Sequence, residues 1–235
     1  LDEVGIYSVA FRFASIVFFV SLAFGQAWSA VAIKIRNDFR KSYRSIYGDV
    51  LILLTFIMVI ASSSVALFSN EIIEFIMPKE YSQSKLPLII LCLGVFFQSL
   101  QQICGIGITI EKKVYLYARI SWVIVVLNII LNFLLIPSFG SVGAAISSLI
   151  CYFIMNFIYF YYTQKLHPIK FSKNIFYGQI VYAMIFIFIA LLLFDKTISF
   201  NYVAFKIAII LVFICHFWFY IKKILFNLKF DKDKN

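Results

Sequence analysis

The sequence predicts an all-α protein, a polytopic membrane bundle of seven transmembrane helices. Of its 235 residues, 63% are hydrophobic and only 14% are charged, and the mean hydropathy is +0.96. These values lie far outside the range of a soluble domain. Seven apolar segments each reach the length of about 20 residues that a helix needs to cross a bilayer. Basic residues are concentrated in alternate connections between these segments.

The segments define three predicted regions: a five-span bundle at 1–165, two additional peripheral spans at 166–221, and a short charged tail at 222–235. The first segment is longer than a bilayer requires, so we expect it to be tilted or to extend beyond the membrane. The seven segments run roughly over residues 5–33, 50–68, 86–110, 120–137, 142–163, 175–194 and 202–221.

The distribution of basic residues predicts the orientation. With the N-terminus outside, sixteen lysines and arginines fall on the inner side and only Lys79, Lys85 and Lys196 on the outer side. An excess of basic residues on the cytoplasmic side is typical of membrane proteins. We therefore expect the N-terminus outside and the C-terminus inside. The chain opens on Leu1 without an initiator methionine, and we expect it to be part of a longer protein with helices before it.

Composition and motifs exclude several functions. The net charge of +10 is explained by the inner loops, so nucleic-acid binding is not expected. The four cysteines lie in apolar runs without a CxxC motif, which predicts neither disulfides nor zinc. The sequence has no carboxylate inside a predicted span and no GxxxxGK[ST], HExxH or GxSxG motif. It therefore predicts no metal, no cofactor and no enzyme activity.

The most distinctive stretch is residues 128–152, which predicts two spans joined by a tight hairpin. Asn128 and Asn132 lie four residues apart on one helix face, and Pro137 is expected to end that helix. Small residues would then form an edge along the next helix that permits close packing. These small residues are Gly140, Ala144 and Ser148.

A basic residue marks the first span. Arg12 is the one charge well inside any span, and Ser8 and Ser15 lie on its helix face. Further along, Gln26 and Ser29 return to nearly the same face after an apolar middle. Arg12 could extend to outer lipid headgroups, or it could line a solvated cavity and bind a phosphate through its planar pair of donors. The flanking serines favour the second interpretation.

The third and fifth spans also carry polar residues. The third contains Gln98, Gln101 and Gln102, which could join helices or bind sugar hydroxyls, and a GIG sequence follows them. The fifth contains a polar stripe at helical spacing, which we expect to face inward. Its members are Ser148, Tyr152, Asn156, Tyr159 and Thr163.

The last two spans show few polar features. Lys206 and His216 lie near opposite ends of the seventh span, where interfacial roles are more common than proton relay. We expect both spans to pack at the periphery and to face lipid.

The hairpin also carries a family resemblance. Its pattern, N-x3-N-x4-P-x2-G-x2-G-A-A, resembles the C-terminal half of polysaccharide (O-antigen) flippases of the multidrug/oligosaccharidyl-lipid/polysaccharide exporter superfamily. The opening VGIYSVAFRF resembles that family's eighth span, and GIGITIEKK resembles the end of its tenth. The resemblance covers residues 1–165. The hairpin residues that carry it are Asn128, Asn132, Pro137, Gly140, Gly143, Ala144 and Ala145.

This resemblance implies two pseudo-symmetric helical bundles around a cavity that opens alternately to either side. The implied cargo is an undecaprenyl-diphosphate-linked oligosaccharide, moved across the bacterial inner membrane from the cytoplasmic to the periplasmic leaflet. The implied partners are membrane lipids, an N-terminal bundle of the same protein, and polysaccharide polymerase machinery. The N-terminus of this segment would then be periplasmic and the C-terminus cytoplasmic.

On this interpretation Arg12 would bind the diphosphate, and polar residues of three spans would line the sugar path. Two alternatives stay open: an exporter of lipid II or of drugs, and a membrane glycan polymerase or acyltransferase. A drug-cation carrier should have carboxylates in its spans, and an enzyme should have a large external loop or a catalytic histidine and acid. The expected path residues, besides Arg12, are Ser15, Gln26, Gln98, Gln101, Gln102, Tyr152 and Asn156.

Overall fold

The computed structural model describes residues 2–40 and 42–230. These residues form helices and connections without any strand, which confirms the all-α prediction. The helices are α1 (Glu3–Asp38), α2 (Tyr43–Leu67), α3 (Ser69–Ile76), a 3₁₀ helix (Lys79–Ser84), α4 (Lys85–Cys104), α5 (Ile106–Ile110), α6 (Tyr115–Leu166), α7 (Lys173–Leu193) and α8 (Phe200–Phe230).

Six helices within the described residues are long and apolar enough to cross a membrane. The longest, α6, has 52 residues but folds back on itself at Gly140. Asn128 Nδ2 lies 3.6 Å from Cys151 Sγ, and a methyl group at Gly143 would overlap the Leu135 carbonyl oxygen. These contacts require two antiparallel arms, at 115–139 and 141–166. The two arms supply two crossings, so the described helices account for the seven predicted spans.

The position of the turn differs from the prediction. Pro137 does not end the first arm, because it lies within the helix. The break falls at Gly140, whose φ of 53° and ψ of −132° favour glycine. Gly140 is thus the turn itself rather than the start of a packing edge. Gly143 provides the close approach between the arms instead.

The start of α1 is attached to this turn. Glu3 Oε2 accepts a hydrogen bond from the Ser141 backbone N–H at 2.6 Å. Ser141 begins the second arm, whose first N–H groups have no partner within their own helix. A carboxylate at a helix N-terminus also interacts favourably with the helix dipole. Glu3 therefore caps the second arm from another helix, a contact between residues 138 positions apart that the sequence did not suggest.

Helix α4 lies at the centre of the bundle, in contact with α1, α2, α6 and α7. Its apolar side chains, among them Leu88 and Phe96, are fully buried. At Gly94 the second arm comes close, because a methyl group there would lie 3.4 Å from the Leu149 Cα atom. The position of α4 between α1 and the hairpin brings Gln102 against α1 at Gly25.

Helices α7 and α8 pack on the α2 side. The ring of Phe213 stacks on Phe56 of α2 with centroids 5.3 Å apart, and it also contacts Tyr182 of α7. Both helices leave apolar side chains exposed, including Phe188 and Phe219. Helix α8 continues to Phe230, beyond the predicted end of the span at 221, and the rest of the predicted tail lies outside the described residues.

Buried polar groups contradict the expectation that these two helices are nearly featureless. Gln179 of α7 is fully buried, and neither its amide oxygen nor its amide nitrogen has a hydrogen-bond partner among the described residues. Lys206 of α8 is 2% exposed and bonds both carboxylate oxygens of Glu71, at 2.6 and 2.8 Å. Lys206 is therefore a buried ion-paired residue rather than an interfacial one.

Replacing Gly48 by alanine is expected to destabilise the protein. A methyl group there would overlap the Lys170 carbonyl oxygen. Because this oxygen belongs to the backbone, it cannot shift as easily as the end of a flexible side chain. Overpacking of this type costs about 1–3 kcal/mol or more, which thermal unfolding in detergent would detect as a lower Tm. Gly178→Ala is the matched control, because its methyl group would meet Phe217 at an ordinary 3.4 Å. Equal Tm values for the two variants would contradict the prediction.

Candidate functional site

Arg12 lies on an exposed face of α1. Its guanidinium forms no hydrogen bond or ion pair with any residue in 2–40 and 42–230. The neighbouring apolar side chains Ile16 and Phe19 are also exposed, at 54% and 63%. The bundle thus presents an unpaired cation on a helix face that none of its own described helices covers.

The two serines beside Arg12 are already engaged. Ser15 Oγ donates to the Arg12 carbonyl oxygen at 2.6 Å, and Ser8 Oγ donates to the Val4 carbonyl oxygen at 2.7 Å. Each hydroxyl hydrogen is therefore used within α1, although each oxygen can still accept a bond. An anion at this position would find its donors on Arg12 rather than on the serines.

A second polar patch lies further along α1. A methyl group at Gly25 would lie 2.6 Å from Gln102 Cδ, so the Gln102 side chain rests directly on α1 beside Gln26. Gln98 and Gln101 are half-buried on the same helix as Gln102. Fourteen residues separate Arg12 from Gln26, which is about 21 Å along a helix. Arg12 and the glutamines therefore form two patches with an apolar interval between them.

The second arm of the hairpin faces the first half of α1. Ser148 Oγ lies 3.4 Å from Tyr7 Oη, and the Tyr152 ring would lie 3.3 Å from a methyl group at Gly94. Tyr7 precedes Arg12 by little more than one helical turn. Tyr152 is half-buried, and Asn156, one turn further on, has a buried side-chain oxygen without a partner in the described chain. Tyr152 thus lies where α4 meets the second arm, one turn from the Ser148 contact with α1, and Asn156 lies one turn beyond it.

The far end of the polar stripe is used for packing. Thr163 Oγ1 accepts the Gly107 N–H at 3.1 Å, and the Tyr159 ring lies 5.1 Å from that of Tyr117. The Tyr117 hydroxyl in turn donates to the Gly105 carbonyl oxygen at 2.5 Å. The GIG sequence therefore marks the break between α4 and α5, where side chains of α6 satisfy the freed backbone groups.

The two hairpin asparagines differ in their contacts. Asn132 Nδ2 donates to Asn128 Oδ1 at 3.1 Å along the same arm, whereas Asn128 Nδ2 reaches Cys151 Sγ on the other arm. Asn132 therefore orients Asn128, and Asn128 makes the contact between the arms. Among the residues that the structure describes, no group of three or more histidine, cysteine, aspartate or glutamate side chains could hold a metal ion.

Sequence reasoning missed a second cationic feature. Arg40, Arg44 and Lys170 line one cavity where the α1–α2 and α6–α7 connections meet. The spacing of Arg40 and Arg44, four residues apart, is a signal in the sequence, but basic residues in a connection predict only orientation by themselves. Nearby, His167 Nε2 lies 2.5 Å from Glu111 Oε1. This contact links the connection that precedes α6 to the residue that follows α6.

The Glu111–His167 contact predicts a pH-dependent contribution to stability. The hydrogen bond to His167 lowers the pKa of Glu111 below its ordinary value of 4.5. Because the folded-state pKa is lowered, the contribution is present above the unfolded-state pKa and is lost as the pH falls through the folded-state value. Glu111→Gln should lower Tm slightly at pH 7, and the difference from wild type should shrink towards pH 3. A difference that is constant with pH would contradict this.

The described helices, six of them long and apolar enough to cross a membrane, define a multi-pass membrane protein with an unpaired cation on an uncovered face. The MatE family model matches residues 1–134. The chain belongs to the MatE family. The superfamily resemblance noted from the hairpin is thereby confirmed.

Two curated proteins are similar to the chain. The "Probable low-salt glycan biosynthesis flippase Agl15" of Haloferax volcanii is 27% identical over 180 residues, which are 74% of this chain and 37% of that protein. The "Capsular polysaccharide biosynthesis protein CapF" of Staphylococcus aureus is 29% identical over 102 residues, which are 43% of this chain and 26% of that protein. The matches thus span only about a third of these relatives. No solved structure matches the chain.

Proposed function

We propose that the chain forms one bundle of a flippase that moves an undecaprenyl-diphosphate-linked oligosaccharide, such as an O-antigen repeat unit, across the bacterial inner membrane. The observation that carries the proposal is the unpaired Arg12 on an uncovered face of α1. Both relatives are named for glycan or polysaccharide biosynthesis, and one is named a flippase. Their names support a glycan cargo over a drug cargo.

The chemistry of the cargo explains the arrangement. A diphosphate with several sugars would face a high barrier in hydrocarbon, so its polar part needs a solvated path. Arg12 would bind the diphosphate through paired, charge-assisted hydrogen bonds. The other path residues would bind sugar hydroxyls while the lipid tail stays in the bilayer. These residues are Ser15, Gln26, Gln98, Gln101, Gln102, Tyr152 and Asn156.

A second bundle would complete the path. In this proposal it covers the exposed face of α1, and rocking of the two bundles opens the cavity to either side. The N-terminus of this segment is periplasmic and the C-terminus cytoplasmic. The delivered cargo then passes to polysaccharide polymerase machinery. The hairpin acts as a rigid joint, since Asn128, Gly143 and the Glu3 cap hold its two arms against each other and against α1.

A translocation assay tests this function. The full-length protein is reconstituted into vesicles containing a fluorescent undecaprenyl-diphosphate oligosaccharide, and an impermeant quencher reports the fraction in the outer leaflet. Wild-type protein should accelerate exchange between the leaflets well above protein-free vesicles. The same lipid without its sugars should exchange more slowly. Exchange no faster than in protein-free vesicles would refute the proposal.

A further inference from the structure

A basic cavity lies at the end of the bundle where α2 begins and the second arm of α6 ends. Its volume is about 350 Å³, and its lining residues are Arg40, Tyr43, Arg44, Ser45 and Lys170. Three of the five are cations and none is acidic. Such a cavity attracts an anion and offers it both charged and neutral hydrogen-bond donors.

The walls of this cavity are held by specific contacts. Arg44 Nε donates to Tyr43 Oη at 3.1 Å, and Tyr43 Oη lies 3.1 Å from His167 Nδ1. The Lys170 backbone N–H donates to the Arg44 carbonyl oxygen at 3.1 Å, in the segment that packs against Gly48. These contacts hold two segments that are distant in the sequence together, which brings Arg44 and Lys170 into the same cavity. The bond to Tyr43 orients the Arg44 side chain without a ligand.

A second cavity adjoins the first through Lys170. Its volume is about 480 Å³, and its walls are largely apolar and aromatic. A small free anion would occupy the basic cavity and leave this one unused. A molecule with an anionic head and an apolar body would use both. The lining residues are Phe160, Gln164, Ile169, Lys170, Phe171, Lys173 and Tyr177.

We propose that the two cavities bind one anionic phospholipid, with its phosphate among Arg40, Arg44 and Lys170 and the start of an acyl chain against Phe160 and Tyr177. The site lies at the end of the spans, the level at which headgroups of a bilayer are found. The excess of basic residues predicts this end to be cytoplasmic, and the cytoplasmic leaflet carries anionic lipids. The lipid would join the α1–α2 and α6–α7 connections. This site is independent of the proposed flippase function and of Arg12.

The test measures the Tm of the full-length protein in detergent during titration with phosphatidylglycerol, with phosphatidylcholine of the same acyl chains, or with soluble glycerol 3-phosphate. Phosphatidylglycerol should raise the Tm of wild-type protein, and the other two should not. The triple variant Arg40→Gln/Arg44→Gln/Lys170→Gln should lose this increase. A matched variant, Lys165→Gln/Lys222→Gln/Lys223→Gln, removes three charges that are predicted to lie on the same side of the membrane but do not line either cavity. This variant should keep the increase in Tm.

Each other outcome would overturn the lipid site. Equal loss in the matched variant would mean that attraction to the lipid is general rather than local. An equal increase with glycerol 3-phosphate would mean a site for soluble anions. If the triple variant does not fold, Lys170→Gln replaces it, because that side chain is exposed. This variant should require at least about threefold more phosphatidylglycerol for half the increase, and an unchanged requirement would refute the site.

Discussion

Replacing Arg12 by alanine is expected to reduce cargo translocation by roughly tenfold to a hundredfold. The variant removes a charged hydrogen-bond donor to the proposed diphosphate, and such bonds contribute about 1.5–3 kcal/mol. Every 1.4 kcal/mol changes an equilibrium about tenfold. The fold should be unaffected, because the guanidinium is exposed and has no partner among the described residues. Quencher accessibility in reconstituted vesicles, at equal protein content, measures the rate.

Two further variants make this result specific. Arg12→Lys keeps the charge but loses the planar pair of donors, so it should recover only part of the rate. Arg119→Ala removes another exposed arginine, which lies over the Tyr115 ring in the first arm of α6, and it should translocate at the wild-type rate. A normal rate for Arg12→Ala would exclude the diphosphate role. Equal loss for Arg119→Ala would indicate a general effect of charge.

Replacing Lys206 by methionine is expected to destabilise the protein by about 3–5 kcal/mol. The Lys206 side chain is 2% exposed, and its ammonium group binds both oxygens of Glu71 and lies 5.5 Å from the centre of the Phe68 ring. The variant leaves the carboxylate of Glu71, whose side chain is 12% exposed, without its partner. Thermal or denaturant unfolding of the purified protein in detergent measures the change.

The double variant Lys206→Met/Glu71→Gln distinguishes the effect of an unpaired buried charge from the effect of lost packing. It removes both charges, and replacing a buried pair by neutral groups is often nearly neutral in stability, so it should regain most of the loss. Lys79→Met, which changes an exposed lysine at the start of the 3₁₀ helix, should have little effect. A double variant no more stable than Lys206→Met would show that the cost is lost packing rather than an unpaired charge.

The spans could be predicted because a bilayer constrains the chain in one dimension. Backbone groups in hydrocarbon must be paired, so each crossing is a helix of about 20 apolar residues that hydropathy reveals. The hairpin of α6 was predictable for the same reason, although its turn was placed at Pro137 rather than at Gly140. Proline removes one backbone hydrogen bond to the preceding helical turn. Reversing the chain direction requires more, namely the positive φ that Gly140 adopts.

The candidate site was less predictable. Spacing along each helix identified which residues share a face, but it did not show that the face of Arg12 is exposed in this bundle. Spacing could not show that the Gln102 side chain contacts Gly25 or that Thr163 accepts a hydrogen bond from the Gly107 N–H. Those contacts depend on how neighbouring helices are rotated and shifted, which small residues at the interfaces decide.

By itself, therefore, the sequence determined the helical class, the number of crossings, the alternation of basic connections and the superfamily, because each depends on local composition or a short motif. Only the tertiary structure decided that Glu3 caps the second arm at Ser141, that Lys206 pairs with Glu71, and that Arg44 and Lys170 meet in one cavity. The partners in each contact are far apart in the chain. Each contact joins residues of different helices or connections, so it depends on tertiary packing and not on a local sequence pattern.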